Sequence, residues 1–279
     1  MQHSNRKPRV VLICHAEDRI DAEGLAGWIA TSMTLAGIVL LHEPPRRKWK
    51  RLRNEIRRVG GWRFLDVLAF RLFYRLRLAS GDAAWIEREV ARLRARYPES
   101  LTGVPICRAA DPNAEAVRRF IAECAPELVI ARCKFILRRE ILGIARFGTA
   151  ILHPGICPEY RNAHGCFWAL ANRDLTRVGM TLLKADAGVD TGPMYLHASY
   201  AFDELGESHV VIQYRAVTEN LDAIATVLTA ICEGSAQPLP VAGRRSAAWG
   251  QPWLSAYLRW KAAARRERAI PATQGVTPP

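Results

Sequence analysis

The sequence has no run approaching the roughly 18 apolar residues that a membrane-spanning helix needs. It therefore offers no transmembrane span. Its cysteines are odd in number (Cys14, Cys107, Cys124, Cys133, Cys157, Cys166 and Cys232) and no two have CxxC spacing. That argues against a disulfide scaffold. The opening residues, MQHSNRKPRV, hold no apolar stretch of the kind a secretory signal carries. The expectation is a cytoplasmic protein with reduced thiols. No internal repeat is present.

Acidic residues are also scarce. Lys and Arg number 40 against 27 Asp and Glu, a formal charge of +13 over 279 residues. The excess is local. Arg46, Arg47, Lys48, Lys50, Arg51, Arg53, Arg57, Arg58, Arg63, Arg71, Arg75 and Arg77 face only Glu55 and Asp66 within residues 46–77. The rest of the chain is close to neutral. Apolar residues make up 49%, enough for a sizeable core and too many for wholesale disorder.

Short apolar, β-branched runs alternate with helical spacing through the first half. Strands are expected at 10–14, 37–41, 104–108, 128–132 and 149–152, and helices at 21–31, 113–125 and 138–144. This is the pattern of an α/β fold, a Rossmann-like, mostly parallel twisted sheet with helices on both faces. The later half predicts a helix at 163–171, an antiparallel hairpin of strands 178–184 and 193–200, and one closing helix over 209–232. Trp249 and Trp253 imply that part of the tail docks on the body. The end, from about Ile270, reads as frayed.

In open parallel sheets, ligands bind beyond the carboxyl ends of the strands. Cys14, His15, His42, Cys133 and His153 fall on that rim. His153 stands out because it opens HPGICPEYRNAHG, where Pro154 stops the strand, Gly155 permits an unusual turn and Pro158 stiffens the loop. The hairpin loop carries Asp186 and Asp190. A His and an Asp on adjacent loops form a plausible general acid/base pair.

The residues TAILHPGICPEYRNAHGCFWALANRD, followed by VGMTLLKADAGVDTGPMYL, resemble the formyltransferase family. That family includes glycinamide ribonucleotide, methionyl-tRNA and sugar N-formyltransferases. Its pattern is Asn-x-His-Pro-x-x-x-Pro, a helix, then a hairpin with Asp-x-Gly-Pro. His153, Pro154 and Pro158 match the first part; Asp190, Gly192 and Pro193 match the second. The resemblance covers roughly residues 8–232. It implies a one-carbon (hydroxymethyl- or formyl-group) transferase using N10-formyltetrahydrofolate and an amine acceptor. His153 would polarise the formyl oxygen or shuttle protons, and Asp190 would act on His153 and a bound water. ARCKFILRREIL resembles the family's pterin-contacting segment, so Arg132, Cys133, Lys134, Phe135, Ile136 and Leu137, with Asp186 and Gly188, would hold the donor.

The chain departs from that pattern at one catalytic position. The family's oxyanion-binding Asn falls on Ile151, which offers no hydrogen bond. Loss of one such donor typically costs about 10²- to 10³-fold. Asn162 and His164 are the candidate replacements. The alternatives are different chemistry, such as formyl-folate hydrolysis, or a degenerate folate-binding site. The loop after the first strand, CHAEDR, carries two acids where glycinamide ribonucleotide formyltransferase cradles phosphate. About 45 residues follow the closing helix, fewer than the extra domain of methionyl-tRNA formyltransferases. Both features turn the expectation away from glycinamide ribonucleotide and initiator tRNA and toward another small amine, anionic if the basic segment covers it.

His153, Cys157, His164 and Cys166 have no common zinc spacing, so no metal is expected. Cys14 or Cys133 as a nucleophile is a weaker alternative than buried cysteine. Residues 45–85 read as a basic amphipathic helical insertion in a catalytic domain of residues 8–232, with a basic tail at 233–279. Trp62, Leu65, Leu68, Leu72, Phe73 and Leu76 are expected to pack on the core, with Arg63, Arg71 and Arg75 off that face. Three further readings are an electropositive lid over an acidic substrate, an anionic membrane surface, and nucleic acid. No recognised nucleic-acid motif favours the last. Oligomeric state is left open by the sequence.

Overall fold

A computed structural model of the chain describes residues 7–269, with the backbone alone over 45–51. Strand β1 (Arg9–His15) leads through a π-helical turn, Ile20–Leu25, into α1 (Ala26–Ser32) and β2 (Thr34–Leu41). Three helices follow: α2 (Pro45–Val59), α3 (Gly61–Arg77) and α4 (Ala79–Arg96). Alternation then resumes with β3 (Ile106–Ala109), α5 (Glu115–Glu123), β4 (Leu128–Arg132), α6 (Arg139–Leu142) and β5 (Thr149–His153). The later half holds β6 (Arg161–Asn162), α7 (Gly165–Ala171), β7 (Met180–Lys184), β8 (Met194–Ala198), α8 (His209–Thr218) and α9 (Leu221–Glu233). The tail adds β9 (Ala248–Trp249) and α10 (Leu254–Ala269).

The main sheet runs β3-β2-β1-β4-β5-β7-β8. Its first five strands are parallel; β7 joins β5 antiparallel, and β8 joins β7 antiparallel. The expected α/β fold and edge hairpin are both present. Alternation builds the core on both faces of β1. Val10, Leu12 and Cys14 enter one apolar layer, while Val11 and Ile13 enter the other. The chain moves outward from β1 to β3 and then returns to the other side of β1 as β4. The order reverses between β1 and β4, so the loops after them part there and leave a crevice. His153 ends β5, the next strand along.

Three expectations need correction. The closing helix is two helices, because Asn220 interrupts it: its side-chain amide donates to Ala216 O at 2.9 Å and to Ser199 O at 3.1 Å. The run of helices after β2 continues past the expected bound of 85, since α4 ends at Arg96. The third correction concerns α3, which docks through a different face. Phe64, Val67 and Phe70 are buried, while Trp62, Leu65, Leu68, Leu72 and Leu76 are exposed. Of the six expected packing residues, Phe73 alone packs on the core, half-buried. The helix carries two apolar stripes, and the aromatic one wins. Phe70 meets the rings of Phe167, His209 and Tyr257 at 5.2–5.6 Å, a site shaped for rings. Asp66 fixes the rotation by accepting from Ser255 N at 2.9 Å at the start of α10.

The tail does dock. Trp249 stacks on Trp168 at 4.9 Å and on Tyr160 at 5.8 Å, and β9 pairs with β6. Trp260 of α10 is fully buried, which the sequence reading did not anticipate. The frayed end expected from Ile270 lies outside the described residues. No helix among the described residues is long and apolar enough to cross a membrane.

Candidate active site

His153 is 5% exposed at the end of β5, and the loop after it is built around its ring. Gly155 is required there. A Cβ at that position would lie 2.6 Å from Tyr160 O and 2.9 Å from His153 Nε2. Buried Thr181 pins the loop, donating to Gly155 O at 2.7 Å and accepting from Cys157 N at 2.9 Å. The turn brings the Tyr160 carbonyl to 2.8 Å from His153 Nε2. A carbonyl cannot donate, so Nε2 carries a proton. The other ring nitrogen, Nδ1, faces Asp190 Oδ2 at 3.6 Å.

A carboxylate opposite Nδ1 favours a proton there too. Burial pulls the His153 imidazole down, but Cys157, Asp190 and the Tyr160 carbonyl outweigh it and raise the pKa to about 9. The site thus holds an imidazolium near neutral pH, with its Nδ1–H aimed at the carboxylate. Asp190 is fixed in turn. Its backbone is left-handed, at φ 51°, and its Oδ2 accepts from the backbone N–H of Asn162 at 2.7 Å.

The raised pKa ties His153 to stability. The folded chain binds this proton more tightly than the unfolded chain, where His titrates near 6.5. That contribution is complete below about pH 6.5 and is lost as pH rises through about 9. An NMR titration of the ring is expected to place the His153 midpoint near 9. Asp190→Asn is expected to lower it.

Asn162 joins this centre through its backbone. Its side-chain Nδ2 donates instead to Trp249 O at 2.5 Å. His164 is held apart from it. It sits in a left-handed conformation with its ring 6.0 Å from that of His209. Burial, with Lys134 and Arg71 adding positive charge, pulls it to about 4, so it is neutral. The Nδ1 atoms of His164 and His209 are buried without hydrogen-bond partners.

The two donor-loop segments are placed differently. The Arg132 guanidinium is buried against Asp21 (3.1 Å) and donates to Leu152 O at 2.7 Å, directly before His153. It fixes the end of β5 next to His153. Burial raises the Asp21 carboxyl well above the usual carboxylate range, and the guanidinium opposes that rise only in part. Lys134 donates its backbone N–H to His15 Nε2 at 3.1 Å, across the β1/β4 crevice. Phe135 and Leu137 turn into the core, Cys133 is half-buried, and Ile136 is exposed. Asp186 accepts from Gly188 N at 2.9 Å and Thr191 Oγ1 at 2.8 Å, which shapes the hairpin loop.

Ile151 points to the same sheet face as His153, two residues on. It packs against the buried cluster of Cys157, Leu183 and Met194, which Leu239 and Val241 of the tail also cover. An apolar floor thus stands where the family pattern has Asn. Cys14 is buried, and burial first, then Asp21 and Asp18, push its thiol well above the ordinary range. It is therefore a poor nucleophile. Among the described residues no group of three or more His, Cys, Asp or Glu could hold a metal ion. A cavity of about 460 Å³ lined by Asp82, Trp85, Arg215 and Lys261 is separate from this centre, since neither His153 nor Asp190 borders it.

A family model described as formyl transferase matches residues 87–228. The chain belongs to the formyl transferase family. Methionyl-tRNA formyltransferase of Pelobacter propionicus is 32% identical over 138 residues, 49% of this chain and 43% of that protein. The Thermus thermophilus enzyme of the same name is 35% identical over 102 residues, 36% of this chain and 33% of that protein. The match thus spans less than half the length of either relative. A sugar N-formyltransferase structure from a Shewanella species aligns at TM-score 0.51 and 15% identity, covering 87% of this chain and 76% of that one. Phosphoribosylglycinamide formyltransferase of Anaplasma phagocytophilum aligns at 0.52 and 12%, covering 88% and 100%. These two likenesses establish a shared formyl transferase fold.

Sequence reasoning missed Trp249 and Tyr160 as builders of the site, and read Arg132 as a donor contact rather than as the partner of Asp21 and Leu152. A signal for the first was the unusual tryptophan pair in a polar tail. The Tyr160 contribution is a backbone carbonyl and left no trace in residue type.

Proposed function

We propose that the chain transfers a formyl group from N10-formyltetrahydrofolate to the primary amine of a small anionic acceptor. The observation that carries this is the His153–Asp190 pair, held by the Tyr160 carbonyl and the Asn162 N–H at the rim of a formyl transferase fold. Transfer takes one proton from the amine and gives one to N10, with no change in oxidation state. A buried imidazolium beside a carboxylate suits such a proton relay. To meet charge on the formyl oxygen, the task that Ile151 cannot perform, His153 would have to turn one of its two N–H groups from Tyr160 O or Asp190 toward the substrate.

The donor would lie along residues 132–137 and the 186–190 loop. Those segments flank His153 and expose apolar Ile136 (64%) and Val189 (37%), which suit a flat ring system. Family membership favours this donor, and the β1/β4 crevice is where such a fold binds ligands. The anionic acceptor is favoured by the position of α2. Glu55 accepts from Gln251 N at 3.3 Å, two residues beyond the Trp249 that holds Asn162. The basic helix therefore borders the site loop.

Ile151→Asn tests how charge on the formyl oxygen is met. If His153 serves, restoring Asn is expected to change transfer little, by less than the roughly 10²-fold of a full oxyanion donor. A gain of that size or more would show a degenerate site and favour the hydrolase or binding alternatives.

A further inference from the structure

We propose that the outer face of α3, with the basic helix α2 beside it, docks on an anionic phospholipid bilayer. Trp62, Leu65, Leu68, Leu72 and Leu76 are 88%, 54%, 41%, 55% and 68% exposed. Their spacing places them on one side of the helix over about 21 Å. Isolated exposed leucines are ordinary, but a continuous stripe of five apolar side chains is a docking surface. Folding does not need it, because the opposite stripe of Phe64, Val67 and Phe70 makes the contact with the core.

Charge identifies the occupant. Arg53, Arg57, Arg71, Arg75 and Arg77 are exposed, and among the described residues none of them enters an ion pair. The two acids of the segment are already engaged. Glu55 pairs with Arg58 and Asp66 is bonded to Ser255. Arg53, Arg57, Arg71, Arg75 and Arg77 therefore present positive charge with no ion-pair partner among the described residues. A second copy of this chain would meet that face with the same sign, so self-association through it is disfavoured. Nucleic acid would satisfy the arginines and leave four leucines in water. A bilayer with anionic headgroups satisfies both, taking leucines below the headgroups and arginines among them, with Trp62 at the interface. The helix lies on such a surface and does not cross it.

The proposal stands apart from formyl transfer, and its test reads lipid binding alone. The full chain is sedimented with vesicles of phosphatidylcholine, with and without phosphatidylglycerol, at low and high salt. The expected result is binding to the anionic vesicles that weakens with salt. Leu65→Glu with Leu72→Glu is expected to lower the partition coefficient at least roughly tenfold without moving the melting temperature. Arg71→Gln with Arg75→Gln is expected to weaken binding and flatten its salt dependence. Absence of binding at low salt, equal binding to neutral vesicles, or full binding by the leucine double variant would each overturn the proposal. So would a salt-stable dimer that the leucine variant abolishes.

Discussion

His153→Ala is expected to lower formyl transfer by roughly 10²- to 10⁴-fold, the range for removing a general acid/base group. The substitution removes the Nε2–H donated to Tyr160 O and the Nδ1–H facing Asp190, while the loop keeps its Thr181 clamp. Circular dichroism should therefore report a folded chain. His153→Gln separates shape from proton transfer. Its amide can still donate to Tyr160 O, yet it cannot exchange a proton, so its loss should match that of Ala. A kcat/KM within a few-fold of the unsubstituted protein in either variant would remove His153 from the mechanism.

Arg132→Met is expected to cost about 3–5 kcal/mol of stability, the usual penalty for stripping one partner from a buried ion pair. Asp21 is 3% exposed and, without the guanidinium that lowers its pKa, would have to take up a proton or stay as an uncompensated buried charge. The Leu152 carbonyl would also lose its donor at 2.7 Å. Combining Arg132→Met with Asp21→Leu should recover most of the loss, since paired removal leaves no stranded charge. Urea unfolding midpoints of the single and double variants measure this directly. Equal midpoints for Arg132→Met and the unsubstituted chain would show that the pair contributes nothing. Transfer should fall in both variants, because Leu152 directly precedes His153.

Much of the sheet was legible because its strands are short apolar runs with both faces buried. The order of the strands, and with it the reversal between β1 and β4, was not read from the sequence. His153 and Asp190 were legible because shaped loops surround them, with Pro and Gly at positions that dictate backbone course. The face of α3 was not. Two apolar stripes share one helix, and periodicity alone cannot say which meets Phe167 and Tyr257. The tail was read only as docking, since the Trp249 stack on Trp168 joins residues far apart in sequence. The Arg132–Asp21 pair spans 111 residues and leaves no local signal. Among the proposed oxyanion replacements, Asn162 reaches the site through its backbone and His164 lies with His209. Side-chain type could not predict either arrangement.

The central claim is that this rim moves a formyl group to an amine. The most direct measurement follows the formyl carbon of ¹³C-labelled N10-formyltetrahydrofolate by NMR, with and without small anionic primary amines. The account predicts label appearing as a formamide of the amine, at a rate that depends on that amine and collapses in His153→Ala. Label appearing as formate at a rate indifferent to any amine, or transfer unchanged in His153→Ala, would contradict it.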